Sequence, residues 1–204
     1  MFSPYRWLAF FWCAVALTDA AVIPVGGTCD YNGLQCPVYQ VLSPPTEKYE
    51  LRHYEPASWI ATTETVAEYT PSVSRRMYFR LKNYFDGGNS NNQNLEMTVP
   101  VLTMRENTDV NGMYRYTKYF LLVDSNAPDP TGNGVYKYNR PAFRAYVRQY
   151  GGRPTFQEKL DELNKLTTSI GDSSLYRADR AYFAGYNPPW VRINRRNEVW
   201  VEAN

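Results

Sequence analysis

The sequence predicts an α+β fold: a curved or barrel-like antiparallel sheet with two helices outside it, built from two pseudo-symmetric strand-strand-helix-strand-strand halves. Three observations predict it. Two amphipathic helical patterns open on Thr70 and Thr155, 85 residues apart. Each follows a pair of short strand-like runs split by a proline, Pro56 or Pro141, again 85 residues apart. Each is followed by two further runs rich in aromatic and β-branched residues, the composition that suits a pleated, half-buried surface.

Taken in order, the first half begins with strands over residues 49–54 and 59–66. Thr70 then serves as N-cap and Pro71 as first helical residue. Val73, Met77, Leu81, Tyr84 and Phe85 fall on one helical face, and Gly87-Gly88 stops the helix. Strands follow at 99–104 and 114–123, then a long Pro/Asp/Gly/Asn loop at 124–134. The second half repeats the order, with strands at 135–138 and 143–150. Thr155 with Glu158 makes a capping box, and Phe156, Leu160, Leu163, Leu166 and Ile170 form the next apolar face. Strands at 181–186 and 198–201 complete it. Tyr54-Glu55-Pro56-Ala57 resembles Tyr138-Asn139-Arg140-Pro141-Ala142, and Val99-Pro100 resembles Pro188-Pro189, with Pro100 and Pro189 89 residues apart. One helix cannot cover both faces of its own four strands, so the two halves are expected to form one body.

Ahead of this domain, residues 1–20 read as a signal peptide. Arg6 is followed by an apolar run from Trp7 to Leu17, too short to span a bilayer, and Thr18-Asp19-Ala20 offers small residues for cleavage. Residues 21–48 form an N-terminal arm, and 49–204 the folded domain. Cys13 leaves with the leader, while Cys29 and Cys36 are close enough in an oxidising compartment to form a disulfide. No Asn-x-Ser/Thr sequon occurs. A secreted, extracellular protein is expected, with no later transmembrane segment. The formal charge of 22 − 20 = +2 is too small to point to nucleic acid or an anionic membrane as partner on bulk grounds. Protein partners leave no mark in the sequence.

A search for chemistry is informative mainly through what is missing. The chain has one histidine, His53, and no HExxH, CxxC or Gly-x-Ser-x-Gly element, which excludes a His-rich metal centre and the usual serine nucleophile elbow. Strand alternation puts His53 on the face of Tyr49 and Leu51. An imidazole there either is a hydrogen-bonded structural group or ligates an iron porphyrin, which needs one axial nitrogen, an apolar slot and cations for its propionates. The first helix carries Arg75, Arg76, Arg80 and Lys82 beside its apolar stripe. Such a run serves either as a solvated face or as a propionate clamp.

Five stretches in order carry a resemblance: Tyr49-Glu50-Leu51-Arg52-His53-Tyr54-Glu55-Pro56-Ala57-Ser58-Trp59, Met97-Thr98-Val99-Pro100-Val101, Tyr146-Val147-Arg148-Gln149-Tyr150-Gly151-Gly152, Ala184-Gly185-Tyr186-Asn187-Pro188-Pro189 and Asn194-Arg195-Arg196-Asn197-Glu198-Val199-Trp200. From about Tyr49 to Glu202 the chain resembles the SOUL haem-binding proteins. The resemblance implies a distorted antiparallel β-barrel with two flanking helices, and binding of haem or a related tetrapyrrole with no shared catalytic centre. It makes His53 the candidate axial ligand. Val73, Met77, Leu81 and Tyr84 are candidate pocket residues, and Arg75 and Arg80 candidate propionate partners. Haem is the one cofactor expected, with no metal apart from its iron. Non-enzymatic binding outside the cell is the leading expectation. The alternatives are a tetrapyrrole-modifying enzyme that removes the metal, using Glu64 or Glu68 as proton donor, and a module for another apolar ligand or a protein partner. The leader sets this chain apart from intracellular relatives.

Overall fold

The computed structural model describes residues 29–204 apart from 44, 45 and 47; the expected leader lies outside the described residues. A small hairpin, β1 (Cys29–Tyr31) and β2 (Leu34–Cys36), leads into β3 (Tyr39–Val41). The first half then runs β4 (Glu50–Tyr54), β5 (Ala57–Val66), α1 (Pro71–Phe85), β6 (Val101–Asn107), β7 (Tyr114–Leu122). The second runs β8 (Val135–Arg140), β9 (Phe143–Tyr150), α2 (Phe156–Ile170), β10 (Arg180–Gly185), β11 (Asn197–Glu202). Both helices start where their caps place them. Thr70 accepts from the Val73 amide, and Thr155 and Glu158 bond reciprocally in a capping box.

Nine strands form one antiparallel sheet in the order β3-β4-β9-β11-β10-β6-β7-β5-β8. Set β3 aside and exchange the halves, β4 for β8, β5 for β9, β6 for β10 and β7 for β11: the same order returns, reversed. The duplication therefore holds at the level of topology, with its pseudo-twofold between β6 and β10. Consecutive strands do not pair with each other across Pro56 or Pro141. Instead β4 pairs with β9 and β5 with β8, so each half lends a strand to the other. This exchange makes one body of two copies. The expected match of Pro100 with Pro189 is corrected. Pro100 directly precedes β6, whereas Pro189 follows β10, so the two prolines sit at opposite ends of equivalent strands.

The sheet curls on itself. Arg140, at the end of edge strand β8, donates to Tyr182 of β10 and Glu202 of β11 in the middle of the sheet. The inner face is filled by Tyr54, Trp59, Leu102, Tyr119, Tyr182 and Trp200. Each such aromatic or aliphatic side chain contributes about 1.5–3 kcal/mol of burial. Both helices pack on the outer face, α1 on β5 and β7, α2 on β9 and β11. The β1–β2 hairpin was not expected, yet Asn32-Gly33 supplies two left-handed residues for its tight turn. It carries the Cys29–Cys36 disulfide. It closes over one end of the inner core through Tyr31 against Tyr186, Gln35 bonded to Val99, and Cys36 itself. Among the described residues no helix is long and apolar enough to cross a membrane.

Candidate functional site

The structure sorts the expected site residues into three places. Val73, Met77, Leu81 and Tyr84 face the sheet beneath α1, and Met77 and Leu81 are 0% exposed. Their stripe is the packing face of the helix, and the Tyr84 hydroxyl is held by the Pro128 carbonyl at 2.7 Å. Arg80 stands 2.8 Å from Glu64, which Arg76 also engages, so both guanidiniums already have a carboxylate. Those two arginines hold the Glu64 carboxyl below its usual range. Arg75 is exposed and lies over the Phe79 ring.

His53 is half-buried on β4, flanked in register by Gln40 of β3 and Arg144 of β9. Its imidazole makes no hydrogen bond among the described residues. Tyr49, on its face of the strand, packs against Tyr146 in the cluster beneath α2. In strand order β4 lies beyond β9, so α2 separates His53 from α1. The imidazole and the α1 stripe are not brought together.

Two charged groupings that the sequence search did not single out are more distinctive. The first is inside the barrel. Glu198, 0% exposed, accepts from Arg52 (3.1 Å), Arg196 (2.6 and 3.0 Å), Tyr186 (3.0 Å) and the Trp200 indole (2.8 Å). Burial alone would raise its pKa, but the two guanidiniums more than offset this and hold it below the usual carboxylate range. Glu50 completes the balance by pairing with Arg52. This is a satisfied network, two cations matched by two anions.

The second lies on the outer face, where the N-termini of α1 and α2 meet. Phe156, the first residue of α2, packs on Tyr69, just before α1, at 5.0 Å, and also on Tyr116 and Phe183. Both helix dipoles thus present their positive ends to one place. Beneath them Lys118 of β7 is 4% exposed, donates to Thr103 at 3.0 Å and sits under the Tyr69 ring. Lys159 of α2 is half-buried beside it. Burial, with Lys118 and Arg195 nearby, pulls the Lys159 pKa down to about 8. Arg195 bonds only to the carbonyls of Asn187, Pro188 and Val191, and burial and Arg153 lower its pKa. Among the described residues no carboxylate pairs with Lys118, Lys159 or Arg195. Glu158, near by in the first turn of α2, is turned back onto Thr155. The Tyr69 hydroxyl and the Arg195 Nε are buried without a partner. Three uncompensated cations and an orphan hydroxyl at paired helix N-termini make a seat for an anion, and a carboxylate or phosphate group would satisfy it.

A cleft of about 500 Å³ lies elsewhere, between the disulfide hairpin and the ends of β5, β7 and β8, lined by Cys36, Val38, Ala57, Leu121, Asn139 and Arg140 among others. Among the described residues no cluster of three or more His, Cys, Asp and Glu is placed to hold a metal ion.

Comparison with known proteins places this geometry in a family. The SOUL heme-binding protein model matches residues 34–202. Human "Heme-binding protein 2" is 26% identical over 163 residues, covering 78% of this chain and 79% of the relative. "Heme-binding protein 1" of Xenopus laevis is 28% identical over 160 residues, covering 76% and 84%. Among solved structures, the EcmrR C-terminal domain superposes with a TM-score of 0.55 at 10% identity, covering 82% of this chain and 98% of that one. A hydrolase from Listeria innocua gives 0.53 at 8% identity, covering 78% and 93%. These last two show a shared fold and nothing more.

Proposed function

The chain belongs to the SOUL heme-binding protein family, and we propose that it binds haem or a related tetrapyrrole outside the cell, without altering it chemically. The observation that carries this is the seat at the helix N-termini. Haem and its relatives are apolar rings bearing carboxylates, and the seat offers Lys118, Lys159 and Arg195 with no anion of their own. Tyr69 and Phe156 supply aromatic surface beside them. The residues therefore fit the group through its propionates, and bound haem would supply an iron centre. Binding without catalysis is supported at Glu64, one of the two candidate proton donors. Two arginines keep it ionised, which removes it as a proton donor for metal release. The extracellular setting rests on the expected leader and agrees with the Cys29–Cys36 bond.

A second reading places the iron on His53. Its imidazole is half-buried and free of hydrogen bonds among the described residues, and its register partner on β9 is Arg144, whose guanidinium donates to the Asn204 carbonyl and keeps further N–H groups for a propionate. The two sites stand on opposite flanks of α2, so one ring cannot use both. Parallel titrations with hemin and with metal-free protoporphyrin IX, followed by absorbance and fluorescence, separate them. Carboxylate recognition at the seat predicts saturable binding of both rings, weakened about tenfold or more in Lys118→Met and unchanged in His53→Ala. Binding of hemin alone, lost in His53→Ala, would move the site to β4. No binding of either ring would remove the proposed function.

A further inference from the structure

The loop between β10 and β11 supplies Arg195 to the seat and, at its tip, carries side chains that the seat does not use. Residues 187–196 hold Trp190 at 78% and Ile193 at 77% exposure, the most exposed of the large apolar side chains among the described residues. They are presented rather than left loose. Arg195 reaches under the loop to three of its carbonyls, at 2.7, 2.8 and 2.9 Å. The Arg196 amide donates to the Asn187 side chain at 2.7 Å, the Val191 amide donates to the Pro188 carbonyl, and Arg153 donates to the Pro189 carbonyl. The tip is built from below, with its apolar side chains pointing to water.

Its charge has one sign. Arg192 is exposed on the tip between Trp190 and Ile193, and the exposed Arg153 reaches the Pro189 carbonyl of the same loop. No Asp or Glu occurs from Ala181 to Asn197, nor from Gly151 to Thr155. We infer that this loop is a membrane-docking surface, in which Trp190 and Ile193 enter the headgroup region of a bilayer and the exposed Arg192 and Arg153 meet anionic lipids. Two protruding side chains are far too little for a stable protein interface, which takes roughly 800 Å² per partner. A bilayer needs no matching pocket, favours Trp at its interface, and rewards each nearby cation. The near-neutral chain as a whole would not be drawn to such a surface; the local cluster is.

In the protein prepared without residues 1–20, which carry Trp7 and Trp12, Trp190 is its own reporter, because Trp59 and Trp200 are 2% and 0% exposed. The purified protein is mixed with phosphatidylcholine vesicles with and without phosphatidylserine, and read by co-sedimentation and by the emission difference between wild type and Trp190→Phe. The expected result is binding to the anionic vesicles with a blue shift carried by Trp190. It is lost in the double variant Trp190→Ala/Ile193→Ser, weakened about fivefold in Arg192→Ala, and reduced by high salt. These positions are on the surface, so the variants keep their fold, which circular dichroism checks. Absence of vesicle binding by the wild type overturns the inference. So does binding that survives the double variant, or a blue shift that follows protein concentration rather than lipid. Hemin affinity in solution is measured on the same variants, and failure of tetrapyrrole binding would leave the vesicle result standing by itself.

Discussion

The barrel interior and the seam between the helices both contain buried cations, and they treat them in opposite ways. Inside, Arg52 and Arg196 converge on Glu198, and the carboxylate's remaining capacity is taken up by Tyr186 and Trp200. Nothing there is left to bind a ligand. In the seam, Lys118 has a threonine hydroxyl, Arg195 has carbonyls, and Lys159 is held near two other cations. Buried charge without a counter-charge costs several kcal/mol. The protein bears that cost at one place only among its described residues with this many cations, and bears it where two helix dipoles add to the potential. A matched network reports on architecture; an unmatched one reports on what is meant to arrive.

The largest expected effect breaks the matched side. Glu198→Ala leaves two guanidiniums buried together with only Glu50 to balance them. It should cost about 3–5 kcal/mol in urea unfolding. A loss under about 1 kcal/mol would show that solvent reaches this network and that the contrast with the seam is false. Because the folded Glu198 pKa lies below its unfolded value, its contribution is present above the ordinary carboxylate range. It fades as pH falls through the folded value.

These two regions were not equally legible in the sequence. The duplicated strand and helix pattern foresaw the strands and helices of both halves, though not β1, β2 and β3, because alternation and capping are local properties that no distant contact overrode. The pairing of β4 with β9 and β5 with β8 was not legible, since it depends on how the copies interlock rather than on either copy. Asn32-Gly33 was a hairpin signal that went unused. At the site, the run of arginines on α1 is the visible signal, and the structure pairs Arg76 and Arg80 with Glu64, 12 or more residues away in sequence. Lys118 was the better signal. In Tyr116-Thr117-Lys118-Tyr119-Phe120 it alternates onto the face of Tyr116 and Phe120, a charge on the side of a strand meant for the core. That Arg195 and Lys159 join it could be known only once the two helices were seen to meet end to end.

A smaller effect sharpens the unmatched side. Lys118→Met removes a nearly fully buried cation and keeps its length. Stability should rise by about 1–2 kcal/mol while tetrapyrrole affinity falls, opposite signs that a purely structural lysine would not give. Destabilisation together with unchanged affinity would make Lys118 part of the architecture, like Arg52.

The smallest effect is a matter of proton count. The folded Lys159 pKa of about 8 lies below the usual lysine value of 10.5. Above about pH 8 the folded protein therefore holds fewer protons than the unfolded chain. Its stability should gain, relative to Lys159→Gln, as pH rises from about 8 to about 10.5. The charged groups that act on it are Lys118 and Arg195, with Arg153 near Arg195 and Glu158 turned away onto Thr155. None of the nearer ones supplies a negative charge at neutral pH. A bound carboxylate would supply it, raising the Lys159 pKa again. Binding of protoporphyrin IX just above pH 8 should then take up protons, and affinity should fall as pH climbs through that range. Calorimetry in buffers of different ionisation enthalpy reads the uptake directly. The same measurement on Lys159→Gln should show it gone, because a ring bound anywhere else would leave the lysine's titration where the seam alone has set it.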